Sequence, residues 1–242
     1  MIRADTRLVE LGLVPSRNRA QAEIKAGRVR ASGRAIEKPS EQVSADAPLT
    51  LEVPENPWVS RGGLKLEFAL AQFGFDVAGC VALDIGASTG GFTQVLLARG
   101  AKRVYAVDVG RAQLHSDLRR DKRVVNLEGQ DARQLNEELV PEEVDILVAD
   151  VSFISLKLVL PVPMHHLNRR ARIVLLVKPQ FECGPKASKK GVVRDANARI
   201  GAYSDLNDFI SAMPEWQVLP MLKCPVPGGK GNVEMLLGAI RR

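Results

Sequence analysis

Four ionisable residues stand where an open-sheet protein does its chemistry. Asp150 follows the apolar run Val144–Ala149. Lys178 follows Ile173–Val177 and precedes Pro179. Both runs have strand length, so both side chains fall on the edge of the sheet where ligands bind. Glu234 lies within Val233-Glu234-Met235-Leu236-Leu237, an apolar setting in which a carboxylate needs a partner. Lys65, after Ser60-Arg61-Gly62-Gly63-Leu64, opens a helix. Two lysines and two carboxylates on one edge can neutralise each other in a partly dry site, with coupled proton affinities. Such a set suits the activation of a hydroxyl, with a lysine acting as base or as hydrogen-bond anchor. Taken singly, each residue has a blander reading: a strand-end lysine snorkels to water, and Glu234 could pair with an arginine.

A second chemical feature lies upstream. The run Val81–Ile85 ends in Asp84-Ile85-Gly86-Ala87-Ser88-Thr89-Gly90-Gly91-Phe92-Thr93, and a helical segment then runs to Gly100. Strand, glycine-rich turn and helix together make a loop whose backbone a ligand can approach closely. The spacing is GxxxGG, without the GxGxxG of nicotinamide enzymes or the GxxxxGK[ST] of a P-loop. Asp108 closes the next strand and is placed to accept both ribose hydroxyls of an adenosyl ligand. Asp131 closes the third and is placed to accept from an adenine amine.

Arg103–Val107 and Val124–Leu127 are, like Val81–Ile85, Val144–Ala149 and Ile173–Val177, short β-rich segments, with helical segments between most of them. That alternation predicts an α/β fold built on a mostly parallel, doubly wound sheet. With Asp-x-Gly-x-x-x-Gly-Gly and the acidic strand ends, it resembles the Rossmann-like fold of S-adenosylmethionine (SAM) methyltransferases.

The first 53 residues read as a separate small α+β domain. Residues 1–34 carry eight basic and three acidic side chains, and residues 35–60 carry one and five. Leu8 and Leu11 mark one helix before Gly12. Ser16 can cap a second helix running to about Ala26, with Ala20 and Ile24 inward. Val29–Ala31, Ser32-Gly33 and Arg34–Ile36 read as a hairpin, and Leu49–Val53 as a half-buried strand. Arg17, Arg19, Lys25, Arg28 and Arg30 gather around the second helix and the turn after it, a spacing that suits phosphates as well as it suits a solvated basic face. The order Ser16-Arg17-x-x-Ala20-x-x-x-Ile24-Lys25-x-Gly27-x-Val29, then Gly33 and Lys38-Pro39-Ser40, resembles the S-four RNA-binding domain. Its opening Arg-Leu-Asp is approximated by Arg3-Ala4-Asp5. The resemblance implies RNA contacts from these basic residues, Arg3 and Arg7 included. Pro54 and Pro57 stiffen a linker over 54–59, and the second domain is expected over 60–242.

The order Lys65, Asp150, Lys178, Glu234 resembles the Lys-Asp-Lys-Glu tetrad of FtsJ-like ribose 2′-O-methyltransferases. The segments Ser-Arg-Gly-Gly-x-Lys-Leu (60–66), Asp-Ile-Gly-Ala-Ser-Thr-Gly-Gly-Phe-Thr (84–93), Asp-Val-Ser-Phe-Ile-Ser-Leu (150–156), Leu-Val-Lys-Pro-Gln-Phe-Glu (176–182) and Gly-Val-Val-Arg-Asp (191–195) together resemble the TlyA family. That family is known both as hemolysin A and as a ribosomal RNA cytidine 2′-O-methyltransferase. The resemblance implies methyl transfer from SAM to a cytidine ribose of ribosomal RNA. Lys178 would be the base, with Lys65, Asp150 and Glu234 orienting it. It also implies cofactor contacts from Ser60, Gly62, Gly63, Asp84, Gly86, Ala87, Ser88, Thr89, Gly90, Gly91, Phe92, Asp108, Asp131 and Asp150. The family has longer forms acting on both subunits and shorter forms acting on large-subunit RNA. This chain is expected to be a shorter form.

Composition sets the bounds. The 242 residues are 45% hydrophobic and 26% charged, with a net charge of +6, which excludes wholesale disorder. No apolar run approaches the roughly 18–20 residues of a membrane helix, and the N-terminus lacks a signal-peptide core. Three scattered cysteines suit a reducing cytoplasm. His165-His166 lacks zinc spacing, so no metal is expected. A monomer is expected. Lys186, Lys189, Lys190 and Arg194 form a basic loop that could grip RNA phosphates or be merely solvated. Arg119–Arg123 reads as a solvated helix end, and Trp58 as packing between domains or stacking on a base. Aromatics are only 5%, so recognition should rest on charge and shape. The competing functions are a non-catalytic ribosome-assembly factor and a hemolysin, the latter disfavoured by the lack of a membrane segment.

Overall fold

The computed structural model describes residues 1–11, 13–14, 17–51, 56–184, 191–224 and 226–242. The chain divides into two units, Met1–Pro57 and Trp58–Arg242. The first contains β1 (Ile2–Arg3), α1 (Ala4–Glu10), α2 (Arg17–Lys25), β2 (Val29–Ala31), β3 (Arg34–Ala35), β4 (Gln42–Val43) and β5 (Leu49–Leu51). Strand β2 pairs antiparallel with both β3 and β5, and β1 pairs with β4. Ser32 (φ 47°) and Gly33 (φ 82°) both turn left-handed between β2 and β3, the geometry a two-residue hairpin requires. Ala4 and Leu8, one helical turn apart, pack with Ala20, Ile24, Val29 and Ile36. The inner face of α1 is thus Ala4/Leu8 rather than Leu8/Leu11. The helix stops at Glu10, and Leu11, its C-cap, is 42% exposed. Gly12, Ser16 and Glu52–Glu55 lie outside the described residues.

The second unit runs α3 (Arg61–Phe73), β6 (Val81–Ile85), α4 (Gly91–Ala98), β7 (Arg103–Asp108), α5 (Ser116–Arg120), β8 (Val124–Glu128) and β9 (Val144–Ala149). It continues with α6 (Leu156–Val159), α7 (Pro161–Met164), β10 (Leu167–Val177), α8 (Pro179–Glu182), α9 (Ala196–Ser211), β11 (Trp216–Val218), β12 (Leu222–Lys223) and β13 (Met235–Arg241). The sheet order is β11-β13-β10-β9-β6-β7-β8, with β12 also paired to β13. Strands β6 to β10 are mutually parallel, while β13 runs antiparallel to β10 and to β11. Strand order reverses between β6 and β9, which opens a crevice at their carboxyl ends.

Side chains alternate between two buried faces, as a strand's period of two demands. Leu83 and Ile85 of β6, Ala149 of β9 and Leu175 and Val177 of β10 pack toward α6, α7 and α9. Ala82, Val148, Val174, Leu176 and Leu236 pack toward α3 and α4. Helices therefore cover both faces of the sheet. No helix among the described residues is long and apolar enough to cross a membrane.

Candidate active site

The same alternation gathers the four ionisable residues. Asp150 lies two residues beyond Val148, Lys178 two beyond Leu176, and Glu234 two before Leu236. All three continue the rows facing α3. Register brings the ends together: Met235 pairs with Val177, and Val148 and Ala149 pair with Val174 and Leu175. Lys65, on the second turn of α3, completes the set from above that face. The four form two ion pairs. Lys65 Nζ donates to Glu234 Oε2 at 2.5 Å, with both side chains buried. Lys178 Nζ lies 2.6 Å from Asp150 Oδ1. No aligned hydrogen bond reaches that oxygen; the aligned donation of Lys178 goes to Ser152 Oγ at 2.8 Å. The partner of Glu234 is thus a lysine, not an arginine.

Beside this set lies a cavity of about 480 Å³, lined by Gly86, Ser88, Asp108, Asp131, Asp150 and Ser152 with apolar Val109, Ile154 and Val159. Gly86 (φ 82°) passes so close to Asp150 that a Cβ would fall 2.7 Å from its carbonyl oxygen. Only glycine allows that approach of the two strand ends. Asp108 fixes the loop, accepting from Ser88 N at 2.8 Å and Gly110 N at 2.7 Å. Each oxygen keeps a second lone pair for a ligand hydroxyl. Asp131 lines the cavity, but Arg133 engages both its oxygens at 2.6–3.1 Å, which holds its carboxyl below the usual range. An adenine amine would have to share it.

Asp84 does not line the cavity. It is fully buried beneath the loop, on the α4 side, and accepts from Thr93 Oγ1 at 2.6 Å. Its Oδ1 has no partner. Burial pushes this carboxyl up to about 7, against the hydrogen bond from Thr93 and with the help of Asp150 and Asp108. Ala87, Gly90, Gly91 and Phe92 are buried, while Ser88 and Thr89 are exposed. Ser60 and Gly62 stand close by: a Cβ on Gly62 would lie 3.2 Å from Ser60 Oγ and 3.6 Å from Asp150 Oδ2. Gly63 makes room for the Trp58 ring, which packs into the second unit's own core.

Ser152 and Phe153 carry no sequence signal strong enough to single them out. Phe153 is 91% exposed, adopts φ 67° and packs its ring 5.1 Å from that of Phe181 on α8. A left-handed backbone is costly for a bulky residue, so an exposed ring held there marks a candidate contact surface. Gln113, which accepts from Ser88 Oγ at 3.1 Å, carries no such signal either.

The basic residues of the first unit are partly spent on internal pairs. Asp5, wholly buried, receives Arg3 at 2.9 Å, Arg17 at 3.1 Å and Gln21 at 3.1 Å, and these donors hold its carboxyl far below the usual range. Arg7 reaches Glu10 and the carbonyl of Ala45, and Arg28 pairs with Glu23. Lys25 is exposed, and Arg19 and Arg30 lie on α2 and β2. Arg194 is exposed, just before α9, whereas Lys186, Lys189 and Lys190 lie outside the described residues.

The sequence profile of the FtsJ-like methyltransferase family matches residues 58–241, and that of the S4 domain matches residues 2–48. A Mycobacterium tuberculosis protein named 16S/23S rRNA (cytidine-2′-O)-methyltransferase TlyA is 46% identical over 97% of this chain and 88% of its own length. A Campylobacter jejuni protein named 23S rRNA (cytidine-2′-O)-methyltransferase TlyA is 37% identical over 77% of this chain and 72% of its own. The solved structure of a Streptococcus thermophilus protein described as a candidate hemolysin superposes with a TM-score of 0.74 at 38% identity, covering 99% of this chain and 88% of that one. By profile, by near-complete alignment and by fold, this chain belongs to the FtsJ-like methyltransferase family, in its S4-bearing TlyA group.

Proposed function

We propose that the protein transfers a methyl group from SAM to the 2′-hydroxyl of a cytidine ribose in ribosomal RNA. Large-subunit RNA is the substrate common to the names of both relatives. A ribosomal RNA substrate supports a cytoplasmic site of action. The observation that carries the reading is the pair of ion pairs, Lys178–Asp150 and Lys65–Glu234, assembled from four separate segments on one sheet face.

The cavity suits the cofactor. Its volume is that of a small-molecule site, and its carboxylates suit a cationic ligand bearing hydroxyl groups. Gly86 and Ser88 would border it, and Asp108 would accept its ribose hydroxyls. When bound, SAM supplies an electrophilic methyl on a sulfonium with a neutral leaving group. The chain itself must then align and deprotonate the attacking hydroxyl. Lys178 Nζ, in its uncharged form, takes the 2′-hydroxyl proton. Asp150 and Ser152 hold that nitrogen at the strand end. The Lys65–Glu234 pair keeps the floor of the site electrically balanced and in place. Phe153 offers a face for a base, and the exposed Lys25 and Arg194 offer charge for phosphates.

The test is transfer of labelled methyl from SAM to large ribosomal subunits prepared from a strain lacking the enzyme, with the product mapped by primer extension. Label at one cytidine ribose is expected. No transfer by the wild type, or equal transfer by Lys178→Ala, overturns the reading.

A further inference from the structure

The segment from Asp150 to Leu156 carries a carboxylate and a hydroxyl of the site, and it holds Phe153 at an unfavourable φ of 67°. Such a conformation is strained for a bulky residue and persists only when its surroundings over-determine it. One short turn supplies the restraints. Lys178 and the four residues of α8 after it meet the segment at three points. Lys178 reaches Asp150 and Ser152. The Phe181 ring packs on Phe153. Glu182 uses both carboxylate oxygens: Oε2 accepts from Ser155 Oγ at 2.6 Å, and Oε1 from the backbone N–H of Leu156 at 2.9 Å. Ser155 in turn caps α6, accepting from Lys157 N at 3.2 Å.

Of these three contacts, only the one through Glu182 leaves the reacting groups free. The bonds of Lys178 must change when substrate arrives, and the Phe153 ring is mostly bare. The carboxylate of Glu182 is hydrogen-bonded to Ser155 and Leu156, not to Lys178, and the cavity lining does not include it. It ends two hydrogen bonds on the segment's far end and so fixes the distance between the two strand-end loops. We propose that Glu182 is a positioning residue, which ties the Asp150–Leu156 segment to α8 and thereby sets both the apposition of Lys178 to Asp150 and the outward stance of Phe153. The proposal rests on the methyltransferase reading for its kinetic consequence, but not for its structural one.

Two variants separate geometry from charge. Glu182→Ala removes both acceptors. Glu182→Gln keeps an acceptor for the Leu156 N–H and can donate to Ser155 Oγ. In methyl transfer to ribosomal RNA, Glu182→Ala should lower kcat about 10–100-fold, the scale of a reacting group displaced by about an ångström. The KM for SAM should change less than kcat, and Glu182→Gln should recover most of the loss. Hydrogen exchange over residues 151–158 gives the second readout: it should quicken in Glu182→Ala and return toward wild type in Glu182→Gln. Unchanged kcat in the alanine variant, equal damage in both variants, or unchanged exchange would overturn the proposal. If the alanine variant does not fold, Ser155→Ala, which removes one of the two donors, should give a smaller loss of the same kind. A wild type that methylates no RNA would refute the function while leaving exchange to decide the role of Glu182.

Discussion

Lys65 and Glu234 are 169 residues apart in sequence and form a buried ion pair at 2.5 Å. Neither charge has water to fall back on, so each depends on the other. Removing one partner strands the other at a cost of about 3–5 kcal/mol, whereas replacing both with apolar residues is often neutral. Lys65→Ala and Glu234→Ala should each unfold at markedly lower urea. Lys65→Met/Glu234→Leu should recover stability but not methyl transfer. Equilibrium unfolding beside an activity assay checks both halves.

Lys178 sits in a more open pair, and its loss should fall on chemistry rather than folding. Lys178→Ala should lower kcat about 10²–10⁴-fold, the usual span for a general base, with SAM binding by calorimetry little changed. Ser152→Ala, which removes one hydrogen bond to the same nitrogen, should cost roughly tenfold.

Asp84 predicts a slope in stability against pH. Its carboxyl titrates near 7 when folded, against 3.8 as the ordinary value. Between those values the folded chain binds more protons than the unfolded one, so stability falls as pH rises through that window. It levels off above the folded value. Urea titrations of the cofactor-free protein from pH 5 to about 8 should show the fall, and Asp84→Asn should flatten it.

Phe153→Ala should leave thermal stability almost untouched, because the ring is 91% exposed. If the ring receives a base, the substitution should weaken RNA use by about 1–3 kcal/mol of stacking. That loss would be read as a higher KM for ribosomal substrate with SAM affinity unchanged.

Much of this site was legible because strand ends can be read from sequence. An apolar run of five or six residues followed by Asp150 or Lys178 fixes both position and face, since alternation continues the row set by Val148 or Leu176. The GxxxGG turn was legible for the same reason. The partner of Glu234 was not, because it depends on β13 pairing antiparallel with β10 and on α3 lying over that face. Both relations are non-local. Phe153 was hidden by a left-handed backbone that no propensity assigns to phenylalanine. In residues 1–34, eight basic side chains against three acidic ones suit phosphates or a solvated face. The packing of α1 against α2 instead turns Arg3 and Arg17 onto Asp5, a pairing that charge counting cannot see. Trp58 is expected to pack between domains or to stack on a base; the structure packs it on Gly63 within the second unit, where a residue without a side chain leaves room for the ring.

Strand β13 lies between β10 and β11 in the sheet although it comes after both in sequence. During synthesis, then, every other strand of the central sheet is made before the one that joins its two parts. Until residues 234–241 arrive, Lys65 has no counter-charge, β11 has no neighbour and Lys178 faces an open edge. The crevice between β6 and β9 needs none of residues 234–241, whereas the balanced set of charges beside it does. The order of translation thus makes the balanced charge set wait on the last strand of the sheet.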